Sequence, residues 1–288
     1  MPKRPTPSRF FAALTASSLL WGCGAAPPGP DGKGAFALMG DTPYSEGEVR
    51  RLDDLIADLN RHELAFVAHV GDITSGRGPC TDEWFRARKA QFQKLRHLLV
   101  LLPGDNDWVD CHRTGFDPLE RLRFWRSLFC STSLKIQRQN GEYCEHVRWE
   151  HEGWLFVALN VQGSNDNAAM EGEHAARSRA VLAWIDDSER AMNQRRLKGM
   201  VLLMQADPFL HPRPGSPNGF AALLGKMEFL GKTYPERIVL VHGDTHIYRD
   251  DRPVTGLRRV EVHGSPFVGW LLGRPAGDTL DIAVGGLH

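Results

Sequence analysis

The sequence lacks an excess of charge of either sign. Its 288 residues include 35 Lys and Arg and 35 Asp and Glu, so the formal net charge at pH 7 is zero. Charges of one sign do not gather in long blocks. A nucleic-acid-binding protein needs a basic excess or a basic stripe on one face, so no nucleic-acid-binding surface is expected.

An apolar run of the roughly 20 residues that a membrane-spanning helix requires is also missing. The main apolar stretch, "FFAALTASSLLWGCG", is shorter and ends in small residues. It follows the basic residues Lys3, Arg4 and Arg9. This order of basic, apolar and small residues predicts an export signal over residues 1–22.

The end of that signal, "LLWGC", resembles a bacterial lipobox, with Leu20 three residues before Cys23 and Gly22 directly before it. The resemblance implies lipidation of Cys23 and a flexible tether over residues 23–34. The protein would then be an exported cell-envelope lipoprotein, facing the periplasm or the outer surface, and only its anchor would contact the membrane. The alternative is an ordinary secretory signal that is cut nearby.

Cysteine is scarce, with five residues in the chain. If Cys23 carries a lipid, Cys80, Cys111, Cys130 and Cys144 remain, and four cysteines in an exported domain suggest two disulfides. Three pairings are possible. We favour Cys80–Cys111 and Cys130–Cys144, because Cys80 and Cys111 each follow a Gly-Asp strand end by a few residues. The alternative is four free buried thiols.

Beyond residue 34, short apolar strands alternate with amphipathic helices. Strands are predicted at 35–40, 64–71, 98–104, 146–161 (two strands with a turn), 198–205 and 237–243. Helices are predicted at 45–62, 82–97, 117–129, 172–195 and 217–231, and only short β runs follow residue 243. This alternation predicts an α/β fold with an antiparallel end. Neither an internal repeat nor a linker is evident, so residues 35–288 are predicted to form one domain.

Polar clusters follow five of the apolar strands. They are Gly40-Asp41, Gly71-Asp72, the run "GDND" (104–107), "QADP" (205–208) and "HGDTH" (242–246). Ligands of open α/β sheets bind at the carboxyl ends of strands, and gathered carboxylates repel one another unless a cation neutralises them. The set therefore predicts a metal site, although each Asp alone is equally typical of a turn or a helix cap.

These clusters resemble, in order and spacing over residues 35–265, the motifs of the calcineurin-like metallophosphoesterases. The resemblance implies an α/β/β/α sandwich with a mixed two-sheet core. It also implies hydrolysis of small phosphomonoesters or phosphodiesters by a metal-activated water. One ion would bind Asp41, Asp72 and His246. The other would bind Asp72, Asp105 and either Asp244 or Asp207.

Several histidines of the family pattern are replaced in this chain. Pro43 stands at the first-motif His, Asn106 at the catalytic His, Gln205 or Ala206 at the fourth-motif His, and Asp244 at the first His of the last motif. The remaining donors are mostly oxygen atoms, which suit Mg²⁺ or Mn²⁺ better than Zn²⁺. We therefore expect one or two Mn²⁺ or Mg²⁺ ions.

Because Asn106 cannot donate a proton as His would, other groups must protonate the leaving group. Asn106 is predicted to hydrogen-bond a phosphoryl oxygen, and His112, Asp207 and His242 are the candidate acids.

Trp108 and Arg113 are predicted at the substrate rim, because a guanidinium matches phosphate geometry. For Trp108 the alternative is a place over the core. The competing function is a catalytically impaired pseudoenzyme that acts as an anchored binding protein.

Overall fold

The computed structural model of the protein describes residue 1 and residues 34–130, 136–210 and 215–288. The predicted export signal beyond Met1, the lipidation site Cys23 and the tether before residue 34 lie outside the described residues. They stay predictions.

Twelve strands and six helices make up the described chain. The strands are β1 (Phe36–Met39), β2 (Phe66–His69), β3 (Leu98–Leu101), β4 (Gln137–Arg138), β5 (Val147–His151), β6 (Trp154–Ala158), β7 (Gly199–Leu203), β8 (Ile238–His242), β9 (Arg249–Val254), β10 (Leu257–Glu261), β11 (Gly269–Ala276) and β12 (Thr279–Leu287). The helices are α1 (Glu46–Leu59), α2 (Asp82–Phe92), α3 (Pro118–Phe129), α4 (Gly163–Asp166), α5 (Glu171–Gln194) and α6 (Ala221–Thr233), with a 3₁₀ helix at Val109–Thr114. Within the described ranges, none of the helices has the length and apolar character needed to cross a membrane.

The strands form two mixed sheets. The five-stranded sheet has the order β12-β11-β1-β2-β3, with β1, β2 and β3 parallel and the two C-terminal strands antiparallel. The seven-stranded sheet has the order β4-β5-β6-β7-β8-β10-β9, in which β6, β7, β8 and β10 are parallel. The parallel strands of each sheet bring successive strand ends to one edge, where the acidic clusters follow.

The central core lies between the two sheets. Phe36 of β1 and Phe66 of β2 stack with ring centroids 5.0 Å apart, and Phe156 of β6 meets both rings edge-on at 5.1 and 5.0 Å. Each such buried ring contributes roughly 2–3 kcal/mol by removal from water. These contacts fix the five-stranded sheet against the seven-stranded one.

The helices cover the outer faces of the sheets. Leu52 of α1 and Phe85 of α2 pack against the five-stranded sheet. Trp184 of α5 and Met227 of α6 pack against the seven-stranded sheet. The molecule is thus layered α/β/β/α, and the predicted fold class is confirmed.

Helix α1 begins after an N-cap at Ser45. The Ser45 hydroxyl accepts a hydrogen bond from the Glu48 backbone N–H at 3.3 Å. The Glu48 carboxylate accepts one from the Tyr44 N–H at 2.8 Å. Such caps satisfy backbone donors that the helix leaves unpaired. This cap also fixes the backbone of Tyr44 beside the acidic strand ends.

Both favoured disulfides are present. Cys80–Cys111 ties the segment after β2 to the 3₁₀ helix after β3, and Cys130–Cys144 closes a separation of 14 residues. The pairing predicted from the sequence is therefore confirmed.

Candidate functional site

The acidic residues predicted from the sequence converge at one edge of the two sheets. Asp41, Asp72 and Asp105 follow β1, β2 and β3, and Asp244 follows β8 of the other sheet. Asp41, Asp72 and Asp105 are buried. Asp41, Asp72 and Asp244 have left-handed backbone conformations, with φ of 48°, 62° and 79°. In a non-glycine residue each such conformation costs on the order of 1 kcal/mol or more.

Glycines allow the carboxylates to approach the backbone closely. A Cβ at Gly104 would overlap the Asp72 carboxylate, and one at Gly243 would overlap that of Asp41. A side chain larger than that of glycine would therefore collide with the site at these two positions.

Asp72 lies at the centre of the cluster. Its Oδ1 accepts a hydrogen bond from the Asn106 backbone N–H at 3.0 Å. Its Oδ2 accepts one from the Tyr44 hydroxyl at 2.9 Å and one from Gln205 Nε2 at 3.1 Å. The shared carboxylate of the family pattern is thus held by three neutral donors from three different elements.

Tyr44 is a site residue that the sequence reasoning missed. Its hydroxyl oxygen accepts from Asn106 Nδ2 at 2.9 Å and lies 3.3 Å from His246 Nε2 and 3.5 Å from Asp41 Oδ1. One oxygen therefore touches Asp72 and three further predicted site residues. The available signal was the Ser45 cap, which places the residue before it next to the Asp41 strand end.

Gln205 links the two sides of the cluster. Its Nε2 also approaches Asp244 Oδ1 at 3.4 Å, and its Oε1 accepts from the Gly163 N–H at 2.6 Å. The Asp244 N–H donates to Asp41 Oδ1 at 3.1 Å. Gln205, one of the two residues that could stand at the missing fourth-motif His, therefore takes part in the site as an amide.

Burial and mutual repulsion dominate the electrostatics. Burial raises the pKa values of Asp41 and Asp72 well above the usual range, with further increases from neighbouring carboxylates. Burial also raises the pKa of Asp105, and it raises that of Asp244 to about 7. In the part of the chain that the structure describes, none of these four carboxylates is ion-paired with Lys or Arg. Either protons or a bound cation must therefore neutralise the cluster.

His246 is held as a neutral ligand-like imidazole. Its Nδ1 donates to the Ser265 carbonyl at 2.7 Å, which directs Nε2 toward Tyr44 and Asp41. Burial lowers the pKa of His246. A ring with one nitrogen bonded to a carbonyl and the other pointing into a carboxylate cluster is suited to bind a cation.

Asp107, the last residue of the "GDND" run, has a structural role. Its carboxylate accepts hydrogen bonds from the N–H groups of Gly104, Asp72 and Ile73 at 2.9, 3.0 and 2.8 Å. Burial raises the pKa of Asp107 to about 7. The residue joins the ends of β2 and β3 and thereby positions Asp72.

Two of the candidate acids lie beneath the cluster. His242 is fully buried, its Nδ1 donates to the Gly243 carbonyl at 2.8 Å, and burial lowers its pKa to about 4. The Asp207 carboxylate is paired with Arg249 at 3.2 Å and Arg259 at 3.3 Å. Their role as acids stays a prediction, and these contacts give it no support.

The residues predicted at the rim divide into two groups. Trp108 is 0% exposed and packs with Val109 and Leu122, so its predicted place at the substrate rim is corrected to a place in the core. The Arg113 side chain is 36% exposed and paired with Asp110. His112 is exposed and its Nδ1 donates to the Val109 carbonyl at 2.7 Å. Arg113 and His112 line one cavity beside the acidic cluster.

Ser164 is a second residue that the sequence reasoning missed. Its hydroxyl lies 2.8 Å from Asp105 Oδ2 and 3.2 Å from Asp110 Oδ1. Ser164 belongs to the strand-end loop "NVQGSNDN" (160–167), which follows β6. The structure places this loop directly on the carboxylates.

Comparison with known proteins gives the fold a name. No family model matches the sequence, and no curated protein matches it. Among solved structures, the chain is similar to a dimetal phosphatase from Danio rerio (TM-score 0.59, 13% identity, 87% of this chain and 95% of that chain). It is also similar to a purple acid phosphatase from yellow lupin (Lupinus luteus) seeds (TM-score 0.55, 12% identity, 91% of this chain and 54% of that chain). A third similar structure is PhoD (TM-score 0.53, 11% identity, 89% of this chain and 70% of that chain). At these identities the likeness shows the fold alone, which is the calcineurin-like metallophosphoesterase fold, as the motifs predicted.

Proposed function

We propose that this protein, whose chain has the metallophosphoesterase fold, is a hydrolase of phosphoesters that depends on a divalent metal ion. The observation that carries the proposal is the cluster of Asp41, Asp72, Asp105 and Asp244. These side chains come from both sheets, repel one another in a buried place, and have no ion-pair partner among Lys and Arg of the described residues. Fold alone would leave no physical reason to gather them.

The donor set fits a hard divalent cation. Asp41 Oδ2 is buried and has no hydrogen-bond partner among the residues that the structure describes, and the His246 ring presents Nε2 toward the same carboxylate. Asp105 and Asp244 supply further oxygens, and a Cβ at Gly163 would approach both of them at 2.7 Å. Carboxylates with a single imidazole favour Mn²⁺ or Mg²⁺ over Zn²⁺.

The neutral donors around Asp72 limit how many ions the cluster can hold. The Tyr44 hydroxyl and the Gln205 amide already satisfy Asp72 Oδ2. We therefore propose one or two ions rather than a fixed pair, with Asp41, Asp72 and His246 on one side and Asp72, Asp105 and Asp244 on the other.

When bound, such a cation supplies Lewis acidity toward the phosphoryl oxygens and activates a water nucleophile. The chain itself supplies preorganised donors, since Asn106 Nδ2 and the Tyr44 hydroxyl point into the cluster. Donors fixed where negative charge develops stabilise it without reorganisation. Exposed His112 is the remaining candidate for protonating the leaving oxygen, through Nε2, because its Nδ1 is bonded to a carbonyl.

The test is hydrolysis of p-nitrophenyl phosphate and bis(p-nitrophenyl) phosphate with Mn²⁺, Mg²⁺ or Zn²⁺, by the wild type and by Asp244→Asn. Asp278→Asn, in the exposed turn between β11 and β12, is the matched control. We expect turnover that needs the metal, a loss of about 100-fold in Asp244→Asn, and no loss in Asp278→Asn.

If neither ester is hydrolysed with any of the three ions, the hydrolase proposal is overturned. Metal binding by calorimetry without turnover would then favour the anchored binding protein on the same fold.

We also propose that the chain is exported and anchored through Cys23. The two disulfides support an oxidising compartment. In cells fed a labelled fatty acid, the wild type is expected to incorporate label and Cys23→Ser to lose it. A cleaved but unlabelled wild type would point to an ordinary secretory signal instead.

A further inference from the structure

A cavity of about 480 Å³ opens beside the acidic cluster. It lies between the 3₁₀ helix, the start of α3 and the loop before α5. Its lining residues are Val109, Asp110, His112, Arg113, Pro118, Ser164, Asn167, Ala169 and Met170. Ser164 belongs to both places, because it lines the cavity and its hydroxyl lies 2.8 Å from Asp105 Oδ2. A phosphoester bound at the carboxylates would therefore have this cavity next to its leaving group.

The wall between the acidic cluster and the cavity is formed by α4 and Asn167, a single turn whose backbone is left-handed and strained. Ser164, Asn165, Asp166 and Asn167 are consecutive non-glycine residues with φ of 51°, 57°, 52° and 56°. A left-handed backbone costs roughly 1–2 kcal/mol per L-residue. Strain of this kind persists where surrounding contacts over-determine it, and it concentrates at functional sites.

Arg177 of α5 holds the turn. Its guanidinium is fully buried and donates to the Asp166 carbonyl at 2.8 Å and the Asn160 carbonyl at 3.1 Å. It also pairs with Asp166 at 2.5 Å and with Glu173 at 2.7 Å. This wall is fixed from behind and is not a loose loop.

Arg113 is the only Lys or Arg among the described residues that line the cavity, and it is already paired with Asp110. No further guanidinium or ammonium group is therefore present there to bind a second phosphate or a carboxylate. Val109, Pro118, Ala169 and Met170 supply an apolar surface. The volume falls within the roughly 300–1,000 Å³ of typical small-molecule sites.

We propose that this cavity binds the leaving group of the substrate, and that the substrate is a phosphomonoester of an uncharged, largely apolar alcohol at least as large as a bicyclic aromatic ring. The inference rests on the proposed hydrolysis, and it adds a substrate class to it. The apolar walls contribute through the area that they remove from water. Because Arg113 is already paired with Asp110, the cavity offers no free guanidinium to favour esters that carry a further negative charge.

The test compares 2-naphthyl phosphate with glycerol 2-phosphate in the Mn²⁺-loaded protein. Ala169→Trp fills the cavity mouth. Ala176→Trp, on the exposed face of α5 beside a different groove, is the matched control. We expect KM for the naphthyl ester to be about tenfold lower than for the glycerol ester in the wild type. In Ala169→Trp, KM for the naphthyl ester should rise about tenfold with little change in kcat, while KM for the glycerol ester stays unchanged.

Equal KM values for the two esters in the wild type, or an equal effect of Ala169→Trp on both, would overturn the inference. If the wild type hydrolyses neither ester, binding of 2-naphthylmethylphosphonate is measured by calorimetry. Binding that weakens about tenfold in Ala169→Trp and not in Ala176→Trp would support the cavity although hydrolysis had failed. Absence of binding would overturn it.

Discussion

Asparagine in place of Asp72 is expected to stabilise the metal-free protein and to abolish metal-dependent hydrolysis. Burial is the largest cause that raises the pKa of the Asp72 carboxylate. The neighbouring carboxylates raise it further; they are Asp105, Asp107, Asp41 and Asp244. Removing the charge relieves that repulsion, by roughly 1–2 kcal/mol in the free energy of unfolding. The amide oxygen introduced by Asp72→Asn can still accept from the Asn106 N–H, while the Tyr44 hydroxyl and the Gln205 amide have alternative acceptors in Asp41 Oδ1 at 3.5 Å and Asp244 Oδ1 at 3.4 Å. The substitution also removes the carboxylate shared by the two ligand sets. The rate of hydrolysis should therefore fall by about 10³-fold or more, which corresponds to a loss of about 4 kcal/mol of transition-state stabilisation.

Asp107→Asn is the matched control for charge and position. It removes a buried carboxylate of the same cluster, but Asp107 accepts three backbone N–H groups. An amide has one acceptor oxygen, so at least one of these donors is left unpaired, at a cost of roughly 1–3 kcal/mol. Urea unfolding in the presence of a chelator should therefore shift in opposite directions for the two variants. Destabilisation by both would show that Asp72 serves packing and hydrogen bonding rather than cation binding.

The metal-free protein is expected to lose stability as the pH rises from about 6.5 to 8. Burial raises the pKa values of Asp107 and Asp244 to about 7, and it raises those of Asp41 and Asp72 well above the usual range. In this window the folded state retains protons that the unfolded chain has already released. Each such proton lowers the free energy of unfolding by about 1.4 kcal/mol per pH unit.

The buried histidines do not change the sign of this effect. Burial lowers the pKa values of His69, His146 and His242 to about 4. In the unfolded chain they are half protonated at about pH 6.5 and almost entirely neutral above about pH 7.5, so they offset only part of the carboxylate effect, in the lower half of the window. Below that pH they oppose the carboxylates, because the unfolded chain then binds protons that the folded state excludes.

The measurement is urea unfolding of the metal-free and Mn²⁺-saturated protein between about pH 6.5 and 8. Ligand carboxylates must be ionised to bind metal. Saturating Mn²⁺ should therefore remove or reverse the decline in the free energy of unfolding with rising pH. A metal-free stability that is constant or rises with pH would contradict the buried-carboxylate account.

Much of the fold follows from local patterns in the sequence. Apolar runs such as "FALM" and "IVLVH" are short and separated by helical periodicity, which is enough to predict parallel strands covered by helices. Parallel strands end at a common edge, so the convergence of Asp41, Asp72 and Asp105 could be predicted without any distance. The Ser45–Glu48 pattern likewise located the start of α1.

Other site residues depend on tertiary direction, which a linear pattern does not encode. Tyr44 reaches Asp72 because a helix cap beside one strand end aims its ring at the next. Ser164 reaches Asp105 through a left-handed turn, and the run "SNDN" carries only a weak signal for it, the tolerance of Asn and Asp for that backbone. Trp108 follows an acidic loop in sequence, but the 3₁₀ helix turns its ring inward.

The candidate site is also a joint between two sheets. Asp41, Asp72 and Asp105 belong to strand ends of one sheet, and Gln205, Asp244 and His246 to the ends of the other. The packed rings of Phe36, Phe66 and Phe156 set the spacing of the same two sheets from within. A cation bound by carboxylates of both sheets would link the two sheets directly. Its binding affinity would therefore depend on how the two sheets are positioned relative to each other.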